Sequence, residues 1–256
     1  MLLAIDVGNT NTVLGVYQDK ELIGHWRLET KPRQTADEYG ILSRNLFALA
    51  SIESSKIHAV VIASVVPPLN SVLEQMSVQY FKIKPLFVEA GIRTGIAVLY
   101  EPPTDVGADR IVNAVAAYEK YGGPAIVVDF GTATTFDAIS LKGEYLGGVI
   151  APGPGISSEA LFTRTARLPR VEIKPPARVI GTSTIGSIQS GLYYGYIGLV
   201  DGILERMIAE LGQKTVVIAT GGHSSLIGSA SHRIQHIDAN LTMEGLRLIY
   251  EKNHPR

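Results

Sequence analysis

The stretch IDVGNTNTVLGVYQDKELIG, starting at Ile5, recurs as VDFGTATTFDAISLKGEYLG, starting at Val128. In a gapless register with an offset of 123, Asp6 falls on Asp129, Gly8 on Gly131, Thr12 on Thr135, Glu21 on Glu144 and Gly24 on Gly147. Self-similarity at a fixed offset is the signature of a duplicated unit. The offset of 123 is close to half of the 256 residues, so the chain reads as two similar halves, 1–117 and 118–256, around one cleft. The amphipathic end, Leu241 to Lys252, is free to cross back onto the first half.

Each copy follows a strand–turn–strand grammar, and the rest of the chain alternates helical and strand periods. Helices are predicted over Thr35 to Ser51, with Tyr39, Leu42, Leu46 and Leu49 on one face, and over Leu69 to Tyr80. Others are predicted from Arg110 to Tyr118, Ser157 to Leu168 and Gly186 to Leu211. Further strands are predicted at Ala59 to Val65, Pro85 to Val88 and Thr215 to Ala219. The alternation predicts an α/β fold.

Composition removes several function classes. There is no cysteine, so disulfide frameworks, thiolate zinc sites and cysteine nucleophiles are excluded. Lys and Arg total 23 against 24 for Asp and Glu, a net charge of −1. A nucleic-acid binder needs a basic face, so none is expected as a partner. The start, MLLAID, places Asp6 where a signal peptide has its apolar core, and no apolar run reaches membrane-spanning length. A cytoplasmic protein without a membrane partner is expected.

The turn DVGNTNT carries the first chemistry. An Asp at the end of a buried strand projects a carboxylate into the turn, and Gly8 lets the backbone approach a ligand. Thr10, Asn11 and Thr12 add hydroxyl, amide and backbone donors. Such a turn can hold phosphate oxygens while the Asp holds magnesium through water. A plain hairpin with Asx hydrogen bonds has the same composition. The second copy, DFGTATT from Asp129 to Thr135, favours the phosphate reading. The P-loop pattern is absent, and the turn TGG at Thr220 to Gly222 suits an adenosine contact or a simple turn.

These motifs resemble the superfamily of hexokinase, actin and the heat-shock ATPases, and more closely the type III pantothenate kinases. The resemblance is carried by AIDVGNTNT, GADR at Gly107 to Arg110, DFGTATTFDA from Asp129 to Ala138, and GGVIAPG from Gly147 to Gly153. It implies two ribonuclease H-like, actin-like ATPase domains with mixed sheets flanked by helices and a cleft between them. It also implies ATP-dependent phosphorylation of pantothenate, the first step towards coenzyme A, by a homodimer that uses magnesium and a monovalent cation, potassium or ammonium.

The implied roles fall on particular residues. Asp109 matches the general base. Tyr100, Gly107, Ala108, Asp109, Arg110 and Thr184 match pantothenate contacts. Asp6, Val7, Gly8, Asn9, Thr10, Asn11, Thr12 and Val13 match the ATP phosphate loop, with Asp6 also the magnesium carboxylate through water. Thr132 matches an ATP contact and Asp129 the monovalent-cation ligand. A base is useful because the attacking hydroxyl loses its proton, and a guanidinium such as Arg110 pairs bidentately with a carboxylate. Helix capping is the ordinary alternative for Asp109 and Thr184, and Asp105 competes for either Asp109 role.

The spacing of His232 and His236 lacks the Glu of a zinc-protease helix, and no metal is expected there. The basic stretch from Arg164 to Arg178 reads as a solvated loop or a lid near phosphates. Two other functions share the pattern: another small-molecule kinase of the superfamily, or a non-catalytic transcription accessory protein on the same fold.

Overall fold

The computed structural model describes residues 1–255. The strands are β1 (Leu2–Val7), β2 (Asn11–Gln18), β3 (Glu21–Glu29), β4 (Ala59–Ser64), β5 (Leu86–Phe87) and β6 (Ala97–Val98). Then come β7 (Ala125–Phe130), β8 (Ala133–Ile139), β9 (Glu144–Pro152), β10 (Val216–Gly221) and β11 (His236–Ile237). The helices are α1 (Ala36–Leu49), α2 (Asn70–Met76), α3 (Ala108–Tyr121), α4 (Pro154–Thr163), α5 (Thr184–Leu211), α6 (Ser224–Ile227) and α7 (Leu241–Asn253).

The chain divides into two compact units. The first is Met1–Ala116 with the segment from Leu241 on, and the second is Ala117–Asn240. In the first, the sheet order is β3-β2-β1-β4-β5, with β1 antiparallel to β2 and parallel to β4. Its core is built from Leu3, Ile5 and Val7 of β1, Leu14 and Val16 of β2, and Tyr39, Phe47, Leu69 and Leu73 from the helices. The terminal helix α7 packs on β1 and β4. Gly15 leaves room for Met243, whose sulfur would lie 2.8 Å from a Cβ there.

In the second unit, β11, β10, β7, β8 and β9 follow one another, with β10 parallel and β8 antiparallel to β7. Helix α5 presents Leu192, Tyr196, Val200, Leu204 and Ile208 to Ile126, Val128, Phe130 and Phe136. The four-residue spacing of that stripe lays it along one helix face. Each such side chain contributes about 1.5–3 kcal/mol on burial.

In both units the first hairpin strand is buried except at its fifth residue, the Asp, and the second begins with half-buried and buried residues in alternation before four buried ones in a row. The pairing corrects the gapless register of the sequence. The first turn has three residues, Gly8, Asn9 and Thr10, whereas the second has two, Gly131 and Thr132. Val7 pairs with Thr12, and Phe130 with Thr134, so Thr12 corresponds to Thr134 rather than to Thr135. Equivalent bulges follow, between Val16 and Tyr17 and between Ala138 and Ile139. A longer loop before β9 then restores the offset.

Helix α1 starts where Thr35 and Glu38 cap each other, the Thr35 N–H donating to Glu38 Oε2 at 2.7 Å and the Glu38 N–H to Thr35 Oγ1 at 3.3 Å. Of the predicted face, Tyr39 is buried and Leu42 and Leu46 are half-buried, but Leu49 is 86% exposed; Gly40, with the Tyr80 ring against it, Ser43 and Phe47 are buried beside them. The helix predicted from Leu69 to Tyr80 is α2 followed by a π-helical turn, Ser77–Phe81. The helix predicted from Ser157 begins earlier, with Pro154 in its first turn after Gly153, and ends at Thr163.

Candidate active site

Asp6 sits near the end of β1, a strand with β2 on one side and β4 on the other. The turn that follows is tied internally. The Gly8 N–H donates to Asn11 O at 2.9 Å, and the Thr30 N–H donates to Thr10 O at 2.9 Å. The Thr30 hydroxyl donates to Gly8 O at 2.7 Å and lies 2.9 Å from Thr12 Oγ1, which also meets Tyr39 OH at 3.3 Å. Burial raises the Tyr39 phenol above its ordinary pKa, keeping it a neutral partner. Thr12 therefore turns its hydroxyl inward and shapes the turn from below. Asn9 and Thr10 are exposed at the tip, Asp6, Gly8, Asn11 and Val13 are half-buried, and Val7 is buried.

The second hairpin places Asp129 near the end of β7, opposite Thr135 of β8 and Thr220 of β10. The Gly131 N–H donates to Ala133 O at 3.0 Å, and the Gly153 N–H to exposed Thr132's carbonyl at 3.0 Å. Gly153 occupies the place that Thr30 holds in the first hairpin. A Cβ there would stand 2.2 Å from Thr132 O and 2.5 Å from Gly131 O. No hydroxyl lock like that of Thr30 can exist here, and Thr134 Oγ1, the counterpart of Thr12 Oγ1, is buried without a hydrogen-bond partner.

Gly221 closes on the carboxylate from β10. Its φ is +88°, and a Cβ would stand 2.4 Å from Asp129 Oδ1. Sequence reasoning did not single out Gly153 or assign Gly221 to Asp129. Their signal was present in GGVIAPG and TGG, but the reason is a steric one that only packing reveals.

The segment from Tyr100 to Arg110 lies in the first unit. Helix α3 starts at Ala108, and the Arg110 and Ile111 N–H groups donate to Gly107 O at 3.1 and 3.3 Å. Asp109 is thus the second helical residue and not the cap. Its carboxylate accepts the Arg110 N–H at 2.8 Å. Burial pushes the Asp109 carboxyl above its usual range, offset in part by helix N–H donors and the Arg110 charge. A Cβ at Gly107 would lie 2.5 Å from Asp109 Oδ1 and 3.5 Å from Val65. Val65 in turn donates its N–H to Val7 O at 3.0 Å. Gly107 and Asp109 therefore stand beside the end of β1, from which the Asp6 hairpin springs. Ala108 is half-buried, Arg110 is buried, Tyr100 is half-buried, and Asp105 is exposed in a short 3-10 turn.

Thr184 lies in the second unit as the first residue of α5. Ser183 is the cap, accepting the Gly186 N–H at 3.1 Å, so Thr184 is exposed and not occupied with capping. It lines an open groove of about 900 Å³ with Leu161, Leu168, Ile188 and Leu192. His236 falls in β11, and no cluster of metal-ligating side chains occurs among the described residues. The stretch from Arg164 to Arg178 is irregular, with Arg170 paired to Glu159 at 2.8 Å. No helix among the described residues is long and apolar enough to cross a membrane.

Comparison with known proteins places the chain in a family. The family model for type III pantothenate kinase matches residues 2–206. A type III pantothenate kinase of Koribacter versatilis is 59% identical, covering 99% of this chain and 96% of the relative. Among solved structures, a candidate Baf family transcriptional activator from Campylobacter jejuni matches with TM-score 0.57 at 20% identity, covering 98% of each chain. A candidate N-acetylmannosamine kinase from Listeria monocytogenes matches with TM-score 0.53 at 12% identity, also over 98% of each. At these identities the solved structures speak for the fold alone, two mixed sheets flanked by helices. The sequence match goes further: this chain belongs to the type III pantothenate kinase family.

Proposed function

We propose that this chain transfers the γ-phosphoryl group of ATP to the terminal hydroxyl of pantothenate, giving 4′-phosphopantothenate, the first step towards coenzyme A. The observation that carries this reading is family membership at 59% identity over 99% of the chain. The site geometry supports it: a part-buried Asp109 with a raised pKa stands beside the end of the strand that bears the Asp6 turn.

In this reading the Asp6 to Val13 hairpin holds ATP phosphates, with Asn9 and Thr10 presented at the tip and Thr12 bracing it from below. Thr132 contributes an ATP contact from the second hairpin. Asp109 accepts the proton of the pantothenate hydroxyl as it attacks phosphorus, and Arg110 pairs with the pantothenate carboxylate. Tyr100, Gly107, Ala108 and Thr184 complete the substrate contacts. The two halves are read as 1–117 and 118–256.

The donor set fits the implied ions. Asp6 is a half-buried carboxylate, a hard oxygen donor suited to magnesium through water. When bound with ATP, magnesium neutralises charge on the β- and γ-phosphates. Asp129 lies in a cradle that a Cβ on Gly221 would fill, and as a hard oxygen ligand it suits potassium or ammonium. Exchange of potassium for sodium should lower kcat in the native protein, and Asp129→Ala should erase that difference. Equal rates in both salts would remove the cation role from Asp129.

A homodimer accounts for the apolar side chains left open on the second unit, among them Ile150 at 63%, Ile180 at 80% and Ile185 at 52% exposure. A net charge of −1 fits a cytoplasmic enzyme that binds small anions rather than nucleic acid. The reading is tested by coupled ADP release with ATP, magnesium and potassium against pantothenate and a panel of sugars and acids. Turnover with pantothenate above the panel is expected. A preferred sugar would make the chain a different kinase of the superfamily.

A further inference from the structure

The segment read as the pantothenate site is weakly built in its own middle. Glu101 to Asp105 are exposed, and the only regular feature there is the 3-10 turn Pro103–Asp105. The chain ahead of it, at Arg93, and helix α3 after it both meet one element, the terminal helix α7. At the entry, the Arg93 N–H donates to Asn253 Oδ1 at 3.1 Å, and Asn253 Nδ2 donates to Arg93 O at 2.9 Å. The same amide also donates to Ile249 O at 2.8 Å, which fixes its orientation on the helix. Two residues on, Gly95 has φ +86°, and a Cβ there would lie 2.8 Å from the Lys252 side chain.

At the exit, Gly245 abuts α3 so closely that a Cβ would stand 2.1 Å from Val112 O. Val112 is buried and lies three residues after Asp109, so it shares that helix face. Thr242 Oγ1 donates to Asn113 Oδ1 at 2.7 Å, and Asn113 is buried. Helix α7 is itself held fast. Arg247 is 4% exposed, bonds Glu244 and Glu251, and lies 5.9 Å over the Tyr17 ring of the sheet.

We propose that α7 is a clamp that positions the pantothenate-reading segment, with Asn253 gripping its entry and Gly245 and Thr242 setting its exit. This rests on the assignment of residues 100–110 to pantothenate. These are positioning residues: none need touch substrate, and each acts through backbone that carries Tyr100 or Asp109. The ATP hairpin at Asp6 to Val13 has its own lock in Thr12, Thr30 and Tyr39, and Asn253 bonds Arg93 and Ile249, so loss of the Asn253 grip acts on the pantothenate segment rather than on the ATP hairpin.

The test is Asn253→Ala in the full chain. Loss of its two hydrogen bonds to Arg93 should raise KM for pantothenate about tenfold while KM for ATP stays within about twofold. Asn253→Asp keeps the acceptor for the Arg93 N–H and should fall between the two. Gly245→Ala should act mainly on kcat, because it displaces the helix that bears Asp109. Amide hydrogen exchange over residues 94–106 should speed up in Asn253→Ala, whatever the acceptor substrate is. An unchanged KM for pantothenate, or an equal rise in KM for ATP, overturns the positioning role. Unchanged exchange overturns the clamp itself. Absence of pantothenate turnover in the unaltered protein would instead reject the assignment of function, leaving the exchange result to decide the clamp.

Discussion

Asp109→Asn is expected to lower kcat by about 10²–10⁴-fold, the range for loss of a positioned general base, with the fold retained. The substitution keeps an oxygen that can accept the Arg110 N–H, now 2.8 Å from Asp109 Oδ1. Only the basicity is removed. The pH behaviour follows from the raised carboxyl pKa, caused first by burial and opposed by helix donors and Arg110. The base works ionised, so the rate should rise with pH through a pKa above the ordinary carboxylate range. For stability the sign is opposite. A folded pKa above the unfolded one means that ionised Asp109 costs folding free energy, a cost absent below the unfolded pKa and fully present above the folded one. Asp109→Asn should therefore leave Tm near neutral pH unchanged or raised. A variant that kept full rate would return Asp109 to a structural role in the first turn of α3.

Gly221→Ala carries the second large effect, and it acts through sterics. An alanine there must hold φ near +88° and put a Cβ 2.4 Å from Asp129 Oδ1 and 2.7 Å from Phe130 N. Left-handed backbone costs about 1–2 kcal/mol and overpacking about 1–3 kcal/mol more, so destabilisation on the order of 2–5 kcal/mol is expected. In a chain of this size that is a fall in Tm of roughly 5–15 °C by thermal melt. Protein that survives below its melting point should also lose the preference for potassium over sodium, since Asp129 is the group displaced. A melt and a cation response both like those of the unaltered chain would separate Gly221 from that carboxylate.

Much of the architecture was legible because duplication leaves its mark on residue type. Asp at a buried strand's end, glycine two residues on and an apolar strand before it recur at 123 residues, and both pairs of strands form as the repeat predicts. The turn register was not legible. The second turn is one residue shorter, and a longer loop before β9 compensates, so flanking identities stay aligned and hide the slip. Thr135 then matches Thr12 by letter, while Thr134 matches it by burial and pairing. The extent of the α1 face was not legible either: periodicity counts large apolar residues, so it includes Leu49, which is exposed, and passes over Gly40, which is buried against the Tyr80 ring.

The site divides along the same line. Candidates defined by charge or a hydroxyl, such as Asp6, Asp109 and Asp129, could be named from sequence. What sequence did not convey is how each is held: Asp109 by burial and the α3 N-terminus, Asp129 by Gly221, the first turn by Thr30. The bearing of α7 on residues 93–113 was also hidden, since Arg93 and Asn253 stand 160 positions apart.

The central claim is that phosphate passes from ATP to the terminal hydroxyl of pantothenate with Asp109 as base. The most direct measurement is mass spectrometry of the products formed from ATP, magnesium, potassium and pantothenate by the unaltered protein and by Asp109→Asn in parallel. The account predicts 4′-phosphopantothenate in step with ADP from the unaltered protein and almost none from the variant. ADP without phosphorylated pantothenate, or equal product from both proteins, would contradict it.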